Sequence, residues 1–85
     1  MTVKVAVIGL GIMGRRMLEH MRLHKNYQPD FLWDPNKSAC QEAIKQDPQS
    51  RIMNSASDAM KSADLVYLAC PPVARKAYAL EAASL

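Results

Sequence analysis

Val3-Lys4-Val5-Ala6-Val7-Ile8-Gly9-Leu10-Gly11-Ile12-Met13-Gly14 is the stretch on which the fold turns. Its first half is an apolar run of strand length, rich in the β-branched side chains that suit a pleated, buried surface. Its second half holds all three glycines of the chain. Glycine loses more conformational freedom on folding than any other residue, so three together and none elsewhere mark a special backbone requirement. Directly afterwards Gly14, Met17, Leu18 and Met21 fall at i, i+3, i+4 and i+7, the spacing of one helix face. Arg15, Arg16, Glu19 and Arg22 lie around that face and read as its solvated side.

The same alternation continues outward from this stretch. Lys25-Asn26 and Gln28-Pro29 predict a break, and Asp30-Phe31-Leu32-Trp33-Asp34 reads as a second short strand. Asp34-Pro35 predicts a helix start, with Asp34 as N-cap and proline at the first helical position. Ala39, Cys40, Ala43 and Ile44 give that helix its apolar side, and Asp47-Pro48 stops it. Arg51-Ile52-Met53 is a weak third strand. Ser55-Ala56-Ser57-Asp58 resembles a capping box before a short helix reaching about residue 62. Leu65-Val66-Tyr67-Leu68-Ala69-Cys70 is a second buried strand, ended by Pro71-Pro72, and Val73 to Ala83 reads as an alanine-rich helix. Strands alternating with helices imply a parallel sheet with helices on both faces. The fold class expected is therefore α/β, with a parallel sheet in the order 3-2-1-4.

Gly9-Leu10-Gly11-Ile12-Met13-Gly14 matches G-x-G-x-x-G, a pattern that means little by itself. Following a strand and opening a helix, it has the setting of a dinucleotide fingerprint. Gly9 permits the tight turn, Gly11 lets the backbone approach a pyrophosphate, and Gly14 lets the helix lie close on the sheet. Backbone amides and the dipole at the helix start then attract phosphate. The plainer alternative is an ordinary glycine-rich turn. Asp34 lies 20 residues after Gly14 at the end of the second strand. A carboxylate there accepts from the adenosine ribose hydroxyls and repels a 2′-phosphate, which favours NAD over NADP. It could equally be only a helix cap, or both at once, since a carboxylate has two oxygens. Lys37 could reach a 2′-phosphate and keeps NADP open. Ala69-Cys70-Pro71-Pro72 ends the fourth strand, so residues 70–73 are expected beside the nicotinamide half of the cofactor. Pro71-Pro72 would also serve simply to end a strand. Cys70 reads as a small core or rim residue and not as a nucleophile, because no histidine lies near it in sequence to activate it.

Composition narrows the functional classes. With 85 residues, 49% hydrophobic and 22% charged, the chain has an ordinary globular balance that excludes disorder. Its net charge of +3 and 6% aromatics lack the dense basic stripe of a nucleic-acid binder, so no nucleic-acid partner is expected. No run approaches the roughly 18 apolar residues of a membrane helix, and the N-terminus lacks the pattern of a secretory signal. Cys40 and Cys70 match neither a metal spacing nor a disulfide framework, which points to reduced thiols in the cytoplasm. His20 and His24, at i and i+4, read as a surface pair and not as metal ligands. Arg15 could help to hold phosphate. The methionines read as core filler.

Lys4 to Gly14, Leu32-Trp33-Asp34-Pro35 and Ala63 to Pro72 together resemble the N-terminal part of the Gfo/Idh/MocA oxidoreductases. The strand ending in Cys70-Pro71-Pro72 is the more specific part of that likeness. The resemblance implies a Rossmann domain that binds NAD(P). In a complete enzyme it implies oxidation or reduction of a sugar, polyol or related carbonyl compound. It carries cofactor contacts onto Gly9, Gly11, Ile12, Met13, Asp34, Cys70, Pro71 and Pro72. Arg75 stands where members of the family commonly have histidine. The family's Glu-Lys-Pro motif, with its catalytic lysine, follows the next strand and would lie beyond Leu85, as would the substrate-binding domain. The resemblance thus implies a partial dinucleotide-binding domain over residues 1–85, cut after the fourth strand and its helix and inactive by itself, with no catalytic residue assigned. The 3-hydroxyisobutyrate-type β-hydroxyacid dehydrogenases also carry a Gly-Leu-Gly-x-Met-Gly turn and are the alternative enzyme class. A non-catalytic, dinucleotide-sensing interaction module is the alternative outside enzymes.

A sheet cut after its fourth strand leaves that strand as an apolar edge, and open edges find partners. Self-association that grows with concentration is the expected outcome in light scattering. A stable monomer at high concentration would count against it.

Overall fold

The computed structural model describes residues 2–69, 79–80 and 82–83. The elements run β1 (Val3–Ile8), α1 (Ile12–Leu23), β2 (Tyr27–Trp33), α2 (Lys37–Gln46), β3 (Arg51–Ile52), α3 (Ala56–Ser62) and β4 (Leu65–Leu68). All pairings are parallel and the sheet order is β3-β2-β1-β4. This is the order expected from the alternation of strands and helices. Of the helix expected over residues 73–83, only 79–80 and 82–83 are among the described residues, and these are helical. Among the described residues no helix is long and apolar enough to cross a membrane.

Alternation along β1 divides the core between the two faces of the sheet, because successive side chains of a strand point opposite ways. Val5 and Val7 join Leu18 of α1 and Cys40 and Ala43 of α2 in one cluster, with Leu10 and Leu32. Ala6 and Ile8 face the other way onto Ala56, Ala59 and Met60 of α3. Buried on both faces, β1 must be apolar at nearly every position, as a central parallel strand is. The expected core face of α1 has Gly14 and Leu18 buried and Met17 and Met21 half-buried.

Three local expectations need correction. First, Gln28-Pro29 lies within β2 and does not break the chain before it. The register shifts here, since Lys4 pairs with Gln28 but Ala6 pairs with Phe31. One extra residue on β2 forms a bulge, where a proline without an N–H is tolerated. Second, the cap of α2 is Asn36 and not Asp34. The Asn36 side chain accepts from the amides of Ser38 and Ala39, at 2.9 and 3.4 Å. Asp34 and Pro35 precede the helix because Asp34 is held elsewhere, as described below. Third, Arg22 is not on a solvated face. Its Nε donates to both oxygens of Asp47 at 3.1 Å, and its terminal nitrogen reaches Asp47 at 2.9 Å and Asp30 at 2.8 Å. Burial alone would lower the Arg22 pKa, but the hydrogen bonds and charges of Asp47 and Asp30 outweigh it and hold the guanidinium above its ordinary value. Asp47 does end α2, and it is itself buried, with 6% of its surface exposed. This cluster joins the last turn of α1, the first half of β2 and the end of α2.

At the other cap, Ser55 accepts from the Asp58 amide at 3.1 Å, so the sequence signal at α3 is met by that bond. The His24 ring stands edge-on to Tyr27 with centroids 5.4 Å apart.

Removing Asp47 takes away the better buried of the two carboxylates on Arg22 and leaves Asp30 as its remaining partner. Because Arg22 keeps 22% of its side chain exposed, the expected loss for Asp47→Ala is moderate. It should come to about 2–3 kcal/mol in urea unfolding, the range for hydrogen bonds to charged groups. Glu42→Ala, which removes only an exposed pair with Lys45 at 3.8 Å, should change stability by less than about 0.5 kcal/mol.

Candidate functional site

The turn after β1 is built around two close approaches. Gly9 has φ of 101°, a backbone region that side chains disfavour. A Cβ built on Gly14 would overlap the carbonyl oxygen of Gly9 and come within 2.9 Å of its carbonyl carbon. It would also sit 3.4 Å from the Cβ of Ala69, just past β4. Absence of a side chain at 14 therefore lets α1 lie against the ends of β1 and β4. The expectation for Gly9 and Gly14 corresponds to these contacts.

Gly11 differs. It is the N-cap of α1, its φ is −70°, and no side chain caps the helix. A Cβ built there meets nothing within 4 Å. Space, and not backbone conformation, is what this glycine leaves free. The first amides of a helix have no acceptor within the helix. Those at the start of α1 consequently face outward, flanked by Ile12 and Met13, which are 67% and 64% exposed. Leu10, between the glycines, is fully buried and anchors the turn in the core. Its role was not read from the sequence, although an apolar residue between two glycines was a visible signal.

Asp34 stands beside this turn at the end of β2. Its Oδ2 accepts the Leu10 amide at 2.7 Å and its Oδ1 accepts the Asn36 amide at 2.7 Å. The Gly9 amide donates to the Trp33 carbonyl at 2.9 Å, and the Ala69 amide donates to the Ile8 carbonyl at 2.8 Å. The sheet thus brings Gly9, Gly11, Gly14, Asp34 and Ala69 to one edge, at the carboxyl ends of β1, β2 and β4. Cys70, Pro71 and Pro72 lie outside the described residues.

A cavity of about 770 Å³ opens on the β3 side of Asp34. Its lining includes Trp33, Asp34, Lys37, Cys40, Met53 and Asn54. The cavity does not extend to Gly11, so the edge consists of an open amide surface and a separate, largely apolar recess, with Asp34 between them. Met53 and Asn54, after β3, enter this recess through tertiary contact alone, whereas Lys37 reaches it from three residues beyond Asp34. Cys40 sits in its wall, and its thiol donates to the Asp34 carbonyl at 3.3 Å. Burial pushes the Cys40 thiol up, which opposes thiolate chemistry. The Arg15 carbonyl accepts from the Gln46 side chain at 2.8 Å.

A parallel sheet in this order, a glycine turn opening α1 and an acid at the end of β2 define a Rossmann-type dinucleotide-binding domain. Residues 4–82 match the model of the NAD binding domain of 6-phosphogluconate dehydrogenase, and the chain belongs to that family of NAD-binding domains. It is thus an NAD-binding domain. Among solved structures, UDP-N-acetylglucosamine 3-dehydrogenase GnnA from Acidithiobacillus ferrooxidans is similar at 21% identity with a TM-score of 0.87, covering 99% of this chain and 27% of its own. myo-Inositol dehydrogenase from Lactobacillus casei, in complex with NAD(H) and myo-inositol, is similar at 22% identity and 0.88, covering 100% and 26%. GenD2 from gentamicin A biosynthesis, in complex with NAD, is similar at 18% identity and 0.87, covering 98% and 24%. At these identities the likeness is one of fold. The chain spans about a quarter of the length of these proteins. No protein of curated function matches it.

The two glycines should separate cleanly in mutagenesis. Gly14→Ala forces backbone against backbone and should cost about 3 kcal/mol or more in urea unfolding. Gly11→Ala enters open space and should cost no more than about 1 kcal/mol, the preference for glycine over alanine at a helix N-cap.

Proposed function

We propose that this chain is the NAD(P)-binding portion of an oxidoreductase that moves hydride between a nicotinamide cofactor and a sugar, polyol or related carbonyl compound. The observation that carries the reading is the uncapped start of α1 above a glycine with open space in front of it. The amides around Gly11, Ile12 and Met13 would hold the pyrophosphate, while Gly9 and Gly14 set the turn that presents them. Asp34 would accept from the adenosine ribose, because each of its oxygens keeps lone-pair capacity beyond its one amide. The recess beside Asp34 would take the adenine. Cys70, Pro71 and Pro72 would border the nicotinamide ring, on the strength of their position after β4. Bound there, the nicotinamide supplies or accepts the hydride. None of this chain's residues is assigned a catalytic role, so substrate would be handled by a further domain. GnnA and inositol dehydrogenase, by their names, act on a nucleotide sugar and a polyol, which supports the substrate class proposed.

A second reading has its own support. The family match is to the domain of 6-phosphogluconate dehydrogenase, and the Gly9-Leu10-Gly11-Ile12-Met13-Gly14 turn fits the β-hydroxyacid dehydrogenases. Any coding sequence following residue 85 would discriminate. Glu-Lys-Pro soon after an apolar strand would establish the first reading, and its absence, with serine- and lysine-containing motifs instead, the second.

Titration of the purified chain with NADH and NADPH, by fluorescence or calorimetry, tests the binding itself. Saturable binding is expected, tighter for NADH. Gly11→Ala should remain folded and weaken NADH by about tenfold or more, the equivalent of one lost hydrogen bond of about 1.4 kcal/mol. A folded sample that binds neither nucleotide would refute the reading.

A further inference from the structure

We propose that Asp34 is a positioning residue that sets the glycine turn before any cofactor arrives, in addition to facing the ribose. Both of its oxygens are engaged by the protein's own backbone. Oδ2 takes the Leu10 amide and Oδ1 takes the Asn36 amide, each at 2.7 Å. Bonds of a backbone amide to an ionised carboxylate are shorter and stronger than neutral ones. Leu10 lies between Gly9 and Gly11, so this bond fixes the amide plane from which the exposed amides of the turn continue. Asn36 in turn caps α2 through Ser38 and Ala39. One carboxylate therefore ties the β1–α1 turn to the start of α2, across a sequence gap of 24 residues.

The turn needs such a tie. Its backbone carries two glycines, Gly9 and Gly11, and Gly11 has no side chain to cap α1. Freedom at Gly11 would be costly when a pyrophosphate is bound, because ordering the loop would then fall on the binding step. Preset by Asp34, the loop binds without that cost. The consequence for specificity is direct. If an acid at this position acted only by repelling a 2′-phosphate, its removal would admit NADPH. Here removal also releases the turn, so NADPH gains nothing.

This inference rests on the proposed dinucleotide site, but its first test requires no nucleotide. Amide hydrogen exchange is followed by NMR in the cofactor-free chain. In Asp34→Ala, exchange at Leu10 and Asn36 should rise by about tenfold or more, the loss of a bond of about 1.4 kcal/mol. Exchange at Met53, which donates to Leu32, and at Asp64, which donates to Lys4, should stay within about twofold, the sign that the fold persists. Asp34→Asn keeps one acceptor oxygen and should retain protection at one of the two amides. This variant carries the test should the alanine variant unfold. In a second arm, NADH and NADPH should both bind Asp34→Ala about tenfold more weakly than they bind the parent. Unchanged exchange at Leu10 in the variants would overturn the proposal, as would NADPH binding Asp34→Ala more tightly than it binds the parent. Failure of the parent chain to bind NADH would instead overturn the functional reading, and the exchange result would still decide whether Asp34 holds the turn.

Discussion

The contact between Gly14 and the carbonyl of Gly9 is the constraint on which the rest of the edge depends. Two backbones meet there at a separation that leaves no room for a Cβ. Because they meet, α1 starts directly over the end of β1 and not one turn further out. Its unpaired amides then open beside the ends of β2 and β4, where the strand order reverses. Positive φ at Gly9 supplies the bend that makes this possible. A side chain at either position would push the helix off the sheet and move the amides at its start with it.

The two ends of the molecule do different work. At the carboxyl edge the structure leaves polar backbone exposed and holds it with one acid, Asp34. At the opposite end it closes three elements with Arg22, Asp47 and Asp30, which are sequestered enough for their pairing to matter. Between them lie two apolar clusters, one on each face of β1. The turn at the open edge is itself anchored in the first of these clusters by Leu10. The recess beside Asp34 follows the same division: it opens between α2 and the end of the short β3, beyond which the described sheet has no further strand.

Most of the fold was legible because its signals are local or periodic. The apolar run of β1, the heptad-like spacing of α1, the Ser55 cap and the Asp47-Pro48 stop are all written in neighbouring residues. Errors fell where a residue's partner is distant in sequence. Asp34 looked like a cap because proline follows it, yet its carboxylate is taken by Leu10 from the first turn and by Asn36. Asn36, one residue further on, then serves as cap. Gln28-Pro29 looked like a break, but a parallel neighbour that tolerates a bulge absorbs it into β2. Arg22 looked solvated on its helix, since nothing in its own segment announces that α2 ends against it.

The sequence by itself determined the order of elements, the parallel sheet and the glycine turn, because hydrophobic period and the steric needs of glycine act over a few residues. It also marked Asp34 and the three glycines as the residues expected to meet a dinucleotide. Only the tertiary structure decided what those residues actually hold. Packing α1 on the sheet separates the tasks of the glycines: Gly9 and Gly14 meet each other, while Gly11 keeps open space. Folding β2 beside β1 turns Asp34 from a helix cap into the link between two loops. A carboxylate accepts from whichever donors are nearest, and the nearest donors are set by the approach of strands far apart in the chain.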